Sequence, residues 1–237
     1  MSKVSEKILS IDIGGTSIKA ATLNPDGKLL QEYKKLPTPM PASPVAVINT
    51  IKELVKDFGY TKIAAGFPGY VKNGIVITAP NLGTEVWANT NLAKKLNDVL
   101  RKPARVINDA DMQGLGLISG KGFEMVVTLG TGFGTAFFKN GMLLPHLEIA
   151  HHPIKKDKTY DEYIGAKALK IEGPAKWNKK VKYILAVLKT VFNYDTLYIG
   201  GGNSKKINFK LDSNIKIVTN VDGIDGGAKL WQQEEGV

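Results

Sequence analysis

Asp12-Ile13-Gly14-Gly15-Thr16-Ser17-Ile18-Lys19 lies between two β-rich runs, Ile8 to Ile13 and Ile18 to Leu23, and so predicts the tight turn of a hairpin. A second stretch, Leu129-Gly130-Thr131-Gly132-Phe133-Gly134-Thr135, lies between Glu124 to Leu129 and Thr135 to Phe138 and predicts the same. Glycines at such turns let backbone N–H groups converge on an anion without a Cβ in the way. The hydroxyls of Thr16, Ser17, Thr131 and Thr135 suit phosphoryl oxygens, and Asp12 offers a carboxylate to a hydrated Mg²⁺. One such loop alone is equally an ordinary hairpin turn. The informative feature is that one chain carries two phosphate cradles.

Outward from the first loop, the pattern predicts strands near 7–13, 17–23 and 28–36, with Asn24-Pro25-Asp26-Gly27 turning between the last two. Ser43-Pro44 reads as the cap and first residue of a helix carrying Val47, Ile48, Ile51, Leu54, Val55 and Phe58 at helical spacing. Lys62 to Phe67 is the next strand, a helix from about 91 to 102 buries Leu92, Leu96, Val99 and Leu100, and a strand runs from Arg105 to Asn108. The second half repeats the order, with strands at 124–129, 134–138 and 142–144, a long helix at 177–192 and a strand from Thr196 to Ile199. A repeat of this size is expected for duplicated lobes closing over a cleft, with the two loops facing each other across it.

Composition agrees with a soluble intracellular enzyme: 237 residues, 43% hydrophobic and 23% charged, are enough for one two-lobed unit with a real core. The absence of cysteine excludes disulfides, thiolate chemistry and any cysteine-based zinc site. No apolar stretch approaches the roughly 18 residues needed to span a membrane. Met1 to Lys7 is short and polar, so no signal peptide is expected and a cytoplasmic location is.

The two loops together are the pattern of the sugar kinase, heat-shock ATPase and actin superfamily. Further segments narrow the match: Gly66-Phe67-Pro68-Gly69, Ala79-Pro80-Asn81-Leu82 with Trp87, Asn108-Asp109-Ala110-Asp111, Glu148-Ile149-Ala150-His151, Gly200-Gly201-Gly202, and Gly223-Ile224-Asp225-Gly226-Gly227-Ala228. With them, in order from one end to the other, the chain resembles the ROK family (repressors, uncharacterised frames and kinases), and within it most closely the polyphosphate glucokinases. The resemblance implies an α/β fold of the duplicated ribonuclease-H-like (actin/hexokinase superfamily) type, two-lobed with a central cleft. Its lobes are expected at 1–107 and 108–237, with a final helix at about 223–235 packing back on the first lobe. Many ROK members carry a cysteine-rich zinc motif after the sugar-ordering histidine; polyphosphate glucokinases resemble this chain in lacking it, so no zinc is expected. ROK regulators place a DNA-binding domain before the first strand; with only Met1 to Lys7 ahead of that strand, none is expected here.

From its residues alone, Asp109 is either a carboxylate at the mouth of a parallel sheet or the cap of the following helix, with Asp111 an equal rival. The resemblance selects Asp109 as the catalytic base. It also implies sugar-binding roles for Asn81, Asn108, Glu148 and His151, and for a further acid that either Asp161 or Glu162 supplies. Asn81 by itself is equally a turn residue. Ala150 stands where the family's Glu-x-Gly-His has glycine. The three histidines His146, His151 and His152 fall in one segment and invite a zinc site, but adjacent His151 and His152 point apart and no other His or Cys completes a shell. Donor phosphates fall to Gly14, Gly15, Thr16, Ser17, Lys19, Gly130, Thr131 and Gly132, with Gly201 and Gly202 of a loop that close strand–helix packing would explain equally well. Asp12 is assigned Mg²⁺ through water.

The net charge is +10, from 32 Lys and Arg against 22 Asp and Glu. Between Lys167 and Lys189 stand Lys167, Lys170, Lys176, Lys179, Lys180, Lys182 and Lys189 with one acid, Glu172, and helical spacing places most of these lysines outward. A polyphosphate chain would be drawn to that field, while nothing resembles a nucleic-acid module. The expected function is therefore phosphoryl transfer from inorganic polyphosphate, or ATP, to the 6-hydroxyl of glucose or a close hexose. An ATP-only ROK hexokinase and a non-catalytic sugar-binding ROK protein are the alternatives. A homodimer is implied by the resemblance; a nucleic-acid or membrane partner is not.

Overall fold

A computed structural model describes residues 6–218 and 224–234, which leaves Gly223 of the last family segment, and the ends of the expected final helix, outside the described residues. Two compact units emerge, Met1–Gly116 with Asp222–Val237, and Leu117–Val221. In the first, Ile8–Ile13 (β1), Ser17–Leu23 (β2) and Lys34–Pro37 (β3) precede a helix, Pro44–Leu54 (α1), and the strand Lys62–Phe67 (β4). Val71–Lys72 (β5), Ile75–Val76 (β6) and Thr90–Asn91 (β7) form a small sheet interrupted by one helical turn, Thr84–Trp87 (α2). Leu92–Leu100 (α3), Ala104–Asn108 (β8) and Asp109–Leu117 (α4) follow. The main sheet runs β3-β2-β1-β4-β8, antiparallel as far as β1 and parallel from there on.

In the second unit come Phe123–Leu129 (β9), Phe133–Lys139 (β10), Met142–Leu143 (β11), a single 3-10 turn at Ile149–His151, and the hairpin Pro153–Lys155 (β12) with Lys158–Thr159 (β13). Tyr160–Ile164 (α5), Ala166–Phe192 (α6), Thr196–Gly200 (β14), a second 3-10 turn at Ser204–Lys206 and Ile215–Ile217 (β15) follow among the described residues. Its sheet order, β11-β10-β9-β14-β15, repeats that of the first unit, with the same change from antiparallel to parallel. The same order twice is the duplicated ribonuclease-H-like arrangement of the α/β class. One further helical turn, Gly227–Leu230 (α7), belongs to the first unit and packs on β1 and β4.

Local chemistry sets these elements. Ser43 accepts from the Ala46 N–H at 3.3 Å and Pro44 opens α1, whose Val47, Ile48, Ile51 and Leu54 are buried. Asn91 caps α3 through the Lys94 N–H at 2.8 Å. In β4 every residue from Ile63 to Phe67 is buried, as befits a parallel strand covered on both faces.

Four expectations are corrected. The strand expected at 28–36 shrinks to Lys34–Pro37, because the Asn24 side chain accepts from the Asp26 and Lys28 N–H groups and the chain leaves that turn with Leu29 and Leu30 exposed. Helix α3 ends at Leu100, with Arg101 left-handed at φ 59°, and Val99 is exposed. The long helix expected at 177–192 reaches Phe192 as expected but begins just after a break at Gly173 (φ 78°) and Pro174, across which it continues a shorter helical stretch from Ala166 that the sequence reading did not include. The final helix amounts, among the described residues, to Gly227–Leu230; a Cβ on Gly226 before it would lie 1.7 Å from the Met112 carbonyl oxygen, so α4 and this segment can meet only over glycine.

Glu124 in β9 is a fully buried carboxylate that accepts from the Ser119 N–H and hydroxyl (both 2.8 Å), the Gly120 N–H (2.7 Å), the Lys121 N–H (3.1 Å) and the Tyr198 hydroxyl (2.9 Å). Burial pushes its carboxyl up, but the donors at Ser119, Tyr198 and Gly120 outweigh burial and hold it below the ordinary glutamate value. A depressed folded value adds stability above the unfolded pKa, and that stability is lost as pH falls through the folded one. Glu124→Gln turns an NH₂ group toward donors and is expected to cost about 2–5 kcal/mol. Melting curves against pH check this: the wild type should lose stability below the ordinary glutamate range, and the variant should lack that acid limb.

Candidate active site

In the first unit the β1–β2 turn closes with the Gly14 N–H donating to the Ser17 carbonyl at 3.0 Å. Thr38 fastens the turn from outside: its hydroxyl donates to the Gly14 carbonyl at 2.6 Å and its N–H to the Thr16 carbonyl at 3.0 Å. Thr38 had no signal in the sequence, since β2–β3 pairing alone brings it there. Asp12 and Lys19 are cross-strand partners, with Nζ 3.8 Å from the carboxylate and both side chains about three-quarters covered. Asn81 is exposed, and a Cβ built on Gly15 would stand 3.7 Å from its own, so Asn81 flanks this turn.

At the end of β8 two adjacent side chains meet the start of α4. Asn108, buried, uses its side-chain oxygen to cap α4, accepting from the N–H groups of Ala110 (2.7 Å) and Asp111 (3.3 Å), and its amide donates to the Gly69 carbonyl at 3.0 Å. Capping thus falls to the neighbour. Asp109 remains half-buried, with Oδ1 accepting from the Ala110 N–H at 2.8 Å, whereas Asp111 is 2% exposed. Of the two rival acids, Asp109 is the more exposed. Asn108 has both oxygen lone pairs committed, so what it can still offer a ligand is one amide hydrogen.

In the second unit the β9–β10 turn closes between the Gly130 N–H and the Gly132 carbonyl at 3.1 Å. Asn203 ties it to the other glycine loop, donating its N–H to the Leu129 carbonyl (2.9 Å) and its amide to the Gly130 carbonyl (3.1 Å). Gly201 has φ 82°, and a Cβ there would lie 2.5 Å from the Leu129 carbonyl oxygen, so the two loops touch only because the residue is glycine. Thr131 is exposed at the tip. Thr135, expected to serve phosphate, is instead buried, and its hydroxyl donates to the Leu147 carbonyl at 3.0 Å, anchoring the segment that carries Glu148.

Glu148 stands between two imidazoles, 3.6 Å from His146 Nε2 and 3.8 Å from His151 Nε2. The His151 side chain is 54% exposed and that of His146 only 7%. His146 is a member of this group that the sequence offered as part of the histidine cluster without assigning it a role. His152 turns away, against the Tyr160 ring. Glu162 folds back in a capping box with Thr159, whereas Asp161 points at the β9–β10 turn and accepts from the Phe133 N–H at 2.6 Å. Burial pushes the Asp161 carboxyl up, and Glu148 and Glu162 add to this, against the Phe133 N–H and His151. Glu148, His151 and Asp161 are thus within electrostatic reach of one another. Among the described residues no three His, Cys, Asp or Glu side chains come together to hold a metal ion.

Comparison with known proteins identifies the family. A family model described as "ROK family" matches residues 8–154. The polyphosphate glucokinase of Mycobacterium leprae (strain TN) is 36% identical over 208 residues, 83% of this chain and 63% of that protein, so this chain spans less than two thirds of that relative's length. The polyphosphate glucokinase of Mycobacterium tuberculosis (strain CDC 1551 / Oshkosh) is 34% identical over 206 residues, covering 83% of this chain and 77% of the relative. The crystal structure of an inorganic polyphosphate/ATP-glucomannokinase from Arthrobacter sp. strain KM superposes with a TM-score of 0.85 at 30% identity, over 96% of this chain and 99% of that one. A ROK family glucokinase from Streptomyces griseus, 18% identical with a TM-score of 0.77, shares the fold. With the family match spanning the first glycine turn, the Asp109 helix start and the Glu148 segment, the chain belongs to the ROK family.

Proposed function

We propose that this chain is a glucokinase that transfers a phosphoryl group from inorganic polyphosphate or ATP to the 6-hydroxyl of glucose or a close hexose. The likeness to polyphosphate glucokinases over 83% of the chain carries the proposal. The accessible Asp109, relieved of capping by Asn108, supports it. The Asp109 carboxylate takes the proton of the 6-hydroxyl as that oxygen attacks the terminal phosphorus; the bond from phosphorus to the donor's bridging oxygen breaks, and the donor leaves one phosphoryl group shorter.

Roles are assigned unit by unit. In the first, Gly14, Gly15, Thr16 and Ser17 present N–H and hydroxyl donors to phosphate, Asn81 and the remaining Asn108 amide hydrogen serve the sugar, and Lys19 holds a positive charge beside the turn. In the second, Gly130, Thr131, Gly132, Gly201 and Gly202 form one paired donor loop, and Glu148, His151 and Asp161 grip sugar hydroxyls. The capping duty of Glu162 favours Asp161 as the further acid. Asp12 is a partly exposed carboxylate at the mouth of a phosphate turn, 3.8 Å from Lys19, which suits an ion held through water with phosphate oxygens completing its shell. Mg²⁺ bound there would neutralise charge on the phosphoryl oxygens. The finer points, a homodimer in the cytoplasm, rest on the family and on there being, among the described residues, no helix long and apolar enough to cross a membrane; light scattering checks the dimer.

Donor choice is tested with glucose fixed and inorganic polyphosphate compared with ATP over a series of salt concentrations. Turnover with polyphosphate should fall steeply with salt, because a long polyanion engages many cations at once, while ATP should respond weakly. Preference for ATP with a flat response would leave an ATP-only ROK hexokinase. Saturable glucose binding with no turnover on any hexose and donor would leave a non-catalytic sugar-binding protein.

A further inference from the structure

A pocket of about 950 Å³ opens on the second unit between the β12–β13 hairpin, α5 and the first turns of α6. Six lysines reach it, Lys155, Lys156, Lys158, Lys167, Lys176 and Lys180, with four acids. Three of those acids are already engaged. Glu162 closes its capping box, and Asp161 holds the Phe133 N–H. Glu172 is gripped by Lys180, whose Nζ lies 2.6 Å away and also sits 4.3 Å above the Tyr163 ring. Lys180 is thus buried in the pocket wall, paired with Glu172 from the other side of the break at Gly173. Lys155, Lys156, Lys158 and Lys167 are exposed and, among the described residues, have no carboxylate within 4.0 Å. The pocket also has a direction, since Asp161, which lines it, is the residue hydrogen-bonded beneath the Gly130–Gly132 turn.

We infer that this lysine-lined pocket is a binding tract for inorganic polyphosphate, taking the part of the chain remote from the reacting end as it leaves the β9–β10 turn. The inference rests on the proposed use of polyphosphate as donor. Its chemistry is charge matching: a linear polyanion with one charge per repeat displaces its counterions onto ammonium groups that no carboxylate occupies, and it needs no base stacking or shaped apolar wall. A short donor that ends at the glycine turns would not reach the hairpin.

Binding of fluorescently labelled long-chain polyphosphate to the full chain, followed by anisotropy without glucose, tests the tract. The variant Lys156→Gln/Lys158→Gln/Lys167→Gln should bind roughly tenfold more weakly or worse, with a salt slope shallower by about 0.7–0.9 for each phosphate no longer neutralised. Lys170→Gln/Lys179→Gln/Lys182→Gln removes the same charge from exposed positions outside the pocket and should show a clearly smaller loss. Equal losses in the two variants would mean that net charge alone governs binding, and the tract would be wrong. The corresponding triple Lys→Arg variant keeps the charge and should bind like the wild type; if it binds as weakly as the Gln variant, a disturbed hairpin explains the loss and the proposal fails. Tripolyphosphate affinity should be little changed by the pocket variant, and a loss as large as that for the long chain would reduce the tract to a single phosphate site. A single-stranded oligonucleotide of equal charge that competes as well as polyphosphate would likewise overturn the assignment. Turnover is scored separately. A wild type that binds the long chain through this pocket yet phosphorylates glucose only with ATP defeats the donor proposal, whereas polyphosphate turnover with binding unaltered in every variant defeats the tract alone.

Discussion

Asp109→Asn is expected to lower kcat for hexose phosphorylation about a thousandfold, within the 10²–10⁴ range typical of a lost general base, while glucose affinity and melting temperature stay near those of the wild type. The fold should tolerate the change because α4 is capped by Asn108, and asparagine can still accept the Ala110 N–H that Asp109 now receives. Asp111→Asn is the informative comparison. Its side chain is buried, so its replacement should move the melting temperature more than turnover. A coupled assay for the sugar phosphate, with glucose binding by calorimetry, separates the two effects. Near-wild-type turnover in Asp109→Asn would remove it from the reaction.

The hairpin turns and the strands beside them were legible because their signals are local. Alternating or continuous burial marks β1, β2, β4, β9, β10 and β14, and Ser43-Pro44 marks the start of α1. What escaped depended on partners distant in sequence or on competition between neighbours. Leu29 and Leu30 look like strand residues, but they meet β2 only through the isolated Leu23–Leu29 bridge and the Leu30 N–H to the Thr22 carbonyl, and their side chains stay exposed. That Lys180 is buried shows only in the folded chain, where it pairs with Glu172 from the other side of a glycine break. Asn108 and Asp109 are adjacent residues competent for the same cap, and only the folded chain shows which of them does it. The capping role of Glu162, by contrast, was available in the sequence, because Thr159 followed three residues later by Glu162 is the pattern of a capping box.

Removing the proposed grip on the sugar should be damaging too, though less so than removing the base. Glu148→Ala and His151→Ala are each expected to lower kcat/KM for glucose by about 5- to 150-fold, on the roughly 1–3 kcal/mol that each unpaired polar partner costs. Both KM and kcat should suffer, since interactions with hydroxyls remote from the reacting one fix the pose on which proton removal depends. The geometry adds a third member: Asp161→Ala should resemble them and also loosen the second glycine turn, whose Phe133 N–H it holds, so its donor KM should rise as well. Glu162→Ala, which loses only a cap, should cost stability and little specificity. His152→Ala should matter least, because its ring faces Tyr160 rather than Glu148. Deoxyglucose analogues make the assignment specific. If Glu148 binds a given hydroxyl, the wild type should lose rate on the analogue lacking it, and Glu148→Ala should lose little more, the two changes being non-additive. Fully additive losses for every analogue would mean that Glu148 shapes its loop without touching the sugar.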